Sequence, residues 1–190
     1  RSGKLSLGIV VPIEQYSLSA IPSMKRHLER VQLVEKLGFE AIWVRDVPFQ
    51  VPSFGDAGQT YDPFTYLGFL AGQTTENELG VSSSALPLRH PLHAAKSAAT
   101  IDRLSDGRFI MGVASGDRPD EYPAMNIDFQ QRDLLFRDAF RYIRSAEDDY
   151  PKLDDNRYGH LKGAADILPK SVARKIPMLV TGYSRQSLEW

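Results

Sequence analysis

Residues 81–116 read VSSSALPLRHPLHAAKSAATIDRLSDGRFIMGVASG, and the fold follows from how this stretch divides. Val81 to Leu86 is short enough and bounded sharply enough to be a strand. Pro91 then suits the first position of a helix, where its missing N–H leaves nothing unpaired. The Ser105-Asp106-Gly107 turn ends that helix, and Phe109 to Ala114 is apolar and strand-like, closing on Gly112-x3-Gly116. Strand, helix and strand make one βαβ unit. Its two strand ends carry small polar residues, Ser82-Ser83-Ser84 and Ser115, where a buried parallel strand ordinarily carries valine or isoleucine.

Outward from this unit the same alternation continues. Leu5 to Ile13 is short, apolar and β-branched, a buried strand. Ile21, Met24, Leu28, Val31, Val34 and Leu37 then fall at the spacing of a one-sided helix, stopped by Gly38. Phe39 to Val47 returns to strand, and a Gly/Pro-rich loop runs from Pro48 to Tyr61. Asp62-Pro63 pairs a capping carboxylate with a first-turn proline, opening a helix to about Gln73. Gly68 and Gly72 share one face of it, and glycine inside a helix costs about 1 kcal/mol. Close packing on the sheet or a subunit interface would each account for that face. Past Gly116, Leu134, Leu135, Ala139, Phe140 and Ile143 line an amphipathic helix. Asp148 to Lys175 is long and polar enough to be a lid. Ile176 to Thr181 is a last strand, leading through Gly182-Tyr183-Ser184-Arg185 to a further helix.

The alternation predicts an α/β protein with a parallel sheet and helices outside. A doubly wound sheet and a (β/α)8 barrel both fit, and five strands are too few to close the barrel. The 190 residues are expected to form a single domain, 1–190. Arg1 is not an initiator residue and the chain stops where a helix is expected to begin, so it is expected to continue beyond Trp190.

Bulk composition narrows the function classes. A net charge of −1 offers no footprint for nucleic acid or an anionic membrane. No apolar run approaches the ~20 residues that cross a bilayer. Zero cysteines exclude a disulfide framework and a Cys-based metal site, and suit a cytoplasmic location. Neither a G-x-G-x-x-G nor a G-x-x-x-x-G-K-[ST] motif is present. Of the four histidines, His90 and His93 flank Pro91 without a carboxylate at ligand spacing, His27 is expected to be solvated in the first helix, and His160 falls in the long loop. No metal site is predicted.

In parallel α/β folds ligands lie at the carboxyl ends of the strands. That rule nominates Val11–Glu14, Arg45–Pro48, Ser82–Leu86, Ala114–Arg118 and Thr181–Arg185. Ser82-Ser83-Ser84 leaves room for a flat ligand, or simply fits a crowded interior. The start of a helix after Thr181 suits a phosphate, or only a cap by Ser184. Asp117, Arg118, Asp120 and Glu121 form a charged run at a strand end. With no nucleophile–base pair in evidence, the chemistry is expected to belong to a bound cofactor.

The motif Leu86-Pro87-x2-His90-Pro91, Ala94-x3-Ala98-x3-Asp102-x-Leu104-Ser105-x-Gly107-Arg108-Phe109 and Gly112-x3-Gly116 resembles the bacterial luciferase-like flavin-dependent oxidoreductases, and the likeness continues through Glu121 and Arg132 to Gly182-x-Ser184. The resemblance implies a (β/α)8 TIM barrel, of which this chain carries about the first five units. It implies FMN, or alternatively the deazaflavin F420, at the carboxyl face. A non-proline cis peptide bracing the ring would fall at Ser82–Ser83. Ser115 and Arg118 would border the cofactor, and Gly182, Tyr183, Ser184 and Arg185 would hold its phosphate. Ser115 occupies the position of a family phosphate-binding arginine. Val47 stands where many members carry a histidine after an acidic residue, which leaves Asp46 and Glu121 as the catalytic candidates. The implied activity is a two-component monooxygenase that takes reduced FMN from a separate reductase and acts with oxygen on a small organic substrate. An F420-dependent dehydrogenase and a non-catalytic flavin-binding protein are the alternatives, and relatives suggest a homodimer.

Overall fold

The computed structural model describes residues 5–14, 19–161 and 164–182. Strands β1 (Gly8–Val10), β2 (Ala41–Val44), β3 (Glu78–Ala85) and β4 (Phe109–Ala114) alternate with helices α1 (His27–Lys36), α2 (Pro63–Ala71) and α3 (Pro91–Leu104). A short helix α4 (Glu121–Ala124) and a long one, α5 (Arg132–Ala146), follow β4. The strands β5 (Leu153–Asn156) and β6 (Gly159–Leu161) pair as an antiparallel hairpin, and β7 (Met178–Val180) returns to the main sheet.

That sheet is wholly parallel with the order β1-β2-β3-β4-β7. Each new strand is added beside the last, without the reversal of direction that defines a doubly wound sheet. Of the two architectures the alternation allows, this is the arc of a barrel. Register aligns Ile9, Ile42, Leu79 and Phe109 in one row, and Val44, Val81, Met111 and Met178 in another. These rows pack with Val31, Val34, Leu67, Leu70, Ala98 and Ile143 of the helices into the main core. On the opposite, concave face an added Cβ at Gly8 or Gly80 would lie 2.6 Å and 2.2 Å from the Trp43 indole, which therefore covers both glycines.

The recognition motif proves to be scaffold. Arg108 donates to Ser105 O (2.8 Å), Asn77 O (2.6 Å), Thr74 O (2.9 Å) and Ala71 O (3.2 Å), so one guanidinium closes α2 and the turn into β3. Buried Asp102 accepts the Val172 N–H at 2.7 Å and ties the end of α3 to the segment before β7.

Several local expectations are corrected. The first helix begins at His27 rather than Ile21, because Met24 and Arg26 take left-handed φ values of 58° and 55°. Ahead of them the Glu14 carboxylate accepts the N–H groups of Ser23 (2.9 Å) and Met24 (2.7 Å), holding a turn, and Ile21 is exposed. His27 is buried rather than solvated, with its Nε2 2.6 Å from the Tyr66 hydroxyl, and burial pushes its pKa down. In α5, Leu134 faces solvent and the buried stripe is Leu135, Phe136, Ala139, Tyr142, Ile143 and Ala146.

The 148–175 segment is no structureless lid. Its hairpin packs against α5 and the start of α3: the Tyr158 hydroxyl donates to Leu135 O at 3.3 Å, and its ring packs edge-on against His90 and Tyr142. Farther along, Lys96 and Arg103 on α3 donate to Leu168 O and Lys170 O, each at 2.6 Å. Neither Gly68 nor Gly72, the residue that closes α2, is required by close packing, since an added Cβ would meet nothing at the first and only Phe69 O at 3.8 Å at the second.

Candidate functional site

Four of the five nominated strand ends converge on one cleft of about 370 Å3. Arg45 and Asp46 line it from β2, Ser82 and Ser83 from β3, Ser115 and Arg118 from the loop after β4, and Thr181 and Gly182 from β7. Glu121, at the start of α4, completes the wall. The fifth nominated end, Val11–Glu14, is absent from the described lining, and Glu14 is spent on its turn. Tyr183, Ser184 and Arg185 lie outside the described residues.

The serines face the cleft because β3 slips. Register steps from Val81↔Met111 to Ser84↔Val113, three residues against two, so β3 holds one more residue than β4. Val81 and Ser84 both stay on the buried side, and Ser82 and Ser83 are left on the open one, joined by a cis peptide bond. A bulge of this kind re-aims side chains beside functional sites. Gly112 permits it, since a Cβ there would lie 2.1 Å from Val81 O. Ser83 Oγ lies 2.7 Å from Thr181 Oγ1, which joins the ends of β3 and β7 across the intervening β4.

Asp46 is held rather than free. Ser84 Oγ (2.6 Å) and Arg89 Nε (2.9 Å) donate to its Oδ2, and Arg89 Nη2 (2.9 Å) to its Oδ1, while 2% of the side chain is exposed. Arg89 continues to Asp62, the N-cap of α2, at 3.1 Å. The pairing orients the wall and commits most of the acceptor capacity of Asp46 to the protein.

Arg118 is committed as well. It forms a two-pronged pair with Asp56, with Nη2–Oδ1 at 2.8 Å, above the Phe54 ring at 4.8 Å. The Arg118 hydrogen bonds hold the Asp56 carboxyl below its ordinary range against the opposing effect of burial. Arg45, half-exposed, reaches the same carboxylate only at 3.6 Å. The loop after β2 is thus tied across the mouth of the cleft to the loop after β4.

That second loop is closed by a local contact. The Tyr122 hydroxyl donates to Ser115 O, closing the turn. Gly116 has φ +79°, and a Cβ there would lie 2.5 Å from the Tyr122 hydroxyl, so only glycine fits. Glu121 follows, 3% exposed, with its Oε1 unpartnered. Burial pushes its pKa up, and Asp46 and Asp117 push the same way against Arg118 and the Phe49 N–H.

The described lining holds no histidine, lysine or cysteine, so no nucleophile–base pair is present in it. No group of histidine and carboxylate residues suited to a metal ion occurs among the described residues. The cleft offers hydroxyls, a buried acid with an unpartnered oxygen and paired arginines, which position a bound molecule rather than attack it. Asp56 and Arg89 are the partners that sequence reasoning missed. Arg89 sits inside the recognised motif, but nothing in the local sequence around Asp56 ties it to a residue 62 positions away.

Comparison with known proteins places this architecture. The luciferase-like monooxygenase family profile matches residues 5–190. The alkanal monooxygenase beta chain of Photorhabdus luminescens is 35% identical over 124 residues, covering 65% of this chain and 37% of the relative. Among solved structures, the oxygenating constituent of 3,6-diketocamphane monooxygenase from Pseudomonas putida, a type II Baeyer–Villiger enzyme in complex with FMN, superposes with a TM-score of 0.77 at 16% identity, covering 96% of this chain and 53% of that one. An F420-dependent secondary alcohol dehydrogenase bound to an F420–acetone adduct gives 0.76 at 23% identity, covering 94% and 52%. The chain thus spans about half the length of these solved proteins. With the parallel arc, the polar cleft at its carboxyl ends and a profile match along almost its whole length, the chain belongs to the luciferase-like monooxygenase family.

Proposed function

We propose that this chain is the flavin-binding portion of a two-component monooxygenase, acting with reduced FMN and oxygen on a small organic substrate. The observation that carries the reading is the cleft itself. Its volume of about 370 Å3 lies in the range of small-molecule sites. Ser82, Ser83, Ala114, Ser115 and Gly116 give it a wall of small residues against which a flat ring can lie, and the buried Glu121 Oε1 has no protein partner. These residues fit a flavin. Bound there in reduced form, the flavin would supply the electron pair that oxygen chemistry requires. The chain's part is to position and enclose: Ser82 and Ser83 brace the ring, and the Asp56–Arg118 tie keeps water from the mouth. Because Arg118 is engaged, the phosphate is assigned to Gly182, Tyr183, Ser184 and Arg185. A separate flavin reductase supplies the cofactor, as the sequence resemblance implies. Residues 1–190 act as one domain, and copies pair through the helix face that carries Gly68 and Gly72, where an added Cβ at Gly68 would meet nothing.

Titration of the full chain with FMN, reduced FMN and F420, followed by absorbance and fluorescence, tests the reading. Tightest binding of reduced FMN is expected, and failure to bind any of the three sinks it. Preference for F420 would favour a deazaflavin dehydrogenase, the second reading, which draws support from the F420-dependent enzyme of similar fold. Flavin binding without substrate-dependent oxidation would favour a non-catalytic flavoprotein.

A further inference from the structure

Among the described residues of the cleft, Glu121 alone carries a buried side-chain atom without a partner. It is 3% exposed and fixed in place by the turn from Ser115 to Tyr122. Of its two oxygens, Oε1 meets no donor or acceptor, while the Phe49 N–H donates to the carboxyl. A buried polar atom with no partner costs about 1–3 kcal/mol, which an apolar side chain there would avoid. The cost is recovered if a bound molecule supplies the partner.

The protonation state decides what that partner is. Facing Glu121 are Asp117 and Arg118 from its own loop and Asp46 from the end of β2. Arg118 is already neutralised by Asp56, and Asp46 by Arg89. Burial is the largest influence on Glu121 and shifts it toward the uncharged acid, against an Arg118 whose charge is shared with Asp56. In an uncharged acid the carbonyl oxygen accepts and the hydroxyl donates. The oxygen bonded by the Phe49 N–H is the acceptor, so the hydroxyl is carried by Oε1, on the side without a protein partner.

We propose that Glu121 acts in the cleft as a hydrogen-bond donor, its Oε1 hydroxyl reading a carbonyl of the bound ring system. This deepens the flavin reading and rests on it: the isoalloxazine ring presents carbonyl acceptors along one edge. The pocket thereby prefers an uncharged acceptor at that point and discriminates against a ligand carrying an anionic group there, which would meet Asp46 and Asp117 as well.

The test measures FMN affinity from pH 5 to 9 for the wild-type chain, Glu121→Gln and Glu121→Leu. The glutamine keeps an acceptor for the Phe49 N–H and an N–H donor toward the ligand at every pH. Wild-type affinity is expected to fall by about tenfold as the acid ionises, from the loss of one buried donor. The Glu121→Gln affinity stays flat by comparison, and ionisation of the FMN phosphate, common to all three proteins, cancels in the ratio. Glu121→Leu binds weakly throughout. A constant ratio of wild-type to Glu121→Gln affinity across the range overturns the inference, as does a Glu121→Leu chain that binds like wild type at pH 6. If none of the three binds a flavin, the flavin reading falls and takes this ligand with it. The state of the acid is then read separately from the 13C shift of the Glu121 carboxyl in the empty chain. A carboxyl already ionised at pH 6 overturns the donor role for any ligand, and one still protonated supports it.

Discussion

Removing the charge of Asp46 separates a wall that orients from a residue that reacts. Asp46→Asn preserves shape but weakens three hydrogen bonds, from Ser84 and twice from Arg89. Breaking a fully buried pair costs about 3–5 kcal/mol. Arg89 is 28% exposed, keeps Asp62 at 3.1 Å and lies 5.1 Å from the Phe64 ring, so its charge is not stranded. The expected loss is therefore at or just below the lower limit, about 2–3 kcal/mol. For a chain of this size each kcal/mol moves Tm by about 2–4 °C, which predicts a drop of about 4–12 °C. A double-mutant cycle with Arg89→Met, followed by urea unfolding, isolates the pair. The coupling energy should reach about 2 kcal/mol, and additivity within about 0.5 kcal/mol would refute the reasoning. A variant of unchanged stability that had lost turnover would instead make Asp46 a reacting group.

Three further outcomes follow from the geometry. Asp56 has a depressed pKa, so its contribution to stability is present above the ordinary aspartate pKa of about 3.9 and fades as pH falls through the lower folded value. The stability gap between wild type and Asp56→Asn should accordingly be full at pH 6 and shrink below about pH 4 in urea titrations; a gap that widens in acid would contradict the Arg118 pairing. Gly116→Ala combines a left-handed φ with a contact on Tyr122, and should cost about 1–3 kcal/mol in chemical denaturation and weaken flavin affinity. Tyr158→Ala should lower stability while leaving flavin affinity within twofold, because the hairpin lies on α5 and not over the cleft; a marked loss of affinity would restore the segment to a lid.

Much of the architecture was legible in the order of the residues because each signal was local. Apolar runs bounded by Gly and Pro mark the strands, and Asp62-Pro63 and His90-Pro91 start α2 and α3 where the chain says they should. The motif from Pro91 to Phe109 identified the family through residues that hold helices to strands. What was not legible depends on distance or on backbone geometry. The late start of α1 follows from left-handed residues at Met24 and Arg26, neither a type that advertises such a turn. The bulge in β3 hides in a run of three serines, which has no periodicity to break. Likewise, the loop–loop tie of Asp56 to Arg118 spans the cleft and exists only once the strands lie side by side. The strand-end rule found the cleft, and the partners of the charged residues decided which of them face it free.

Trp43 gives the protein an optical probe in a useful place. Its indole lies over Gly8 and Gly80 on the concave face, two residues before Arg45 at the cleft wall. The sequence contains only one other tryptophan, Trp190. Excited tryptophan transfers energy to a nearby flavin, so a molecule arriving at the strand ends should dim the ultraviolet emission of this floor residue. Replacement of Trp190 by phenylalanine would leave that signal to Trp43 alone. Occupancy could then be followed in real time on an unlabelled chain, including during delivery of a reduced flavin that is itself only weakly coloured.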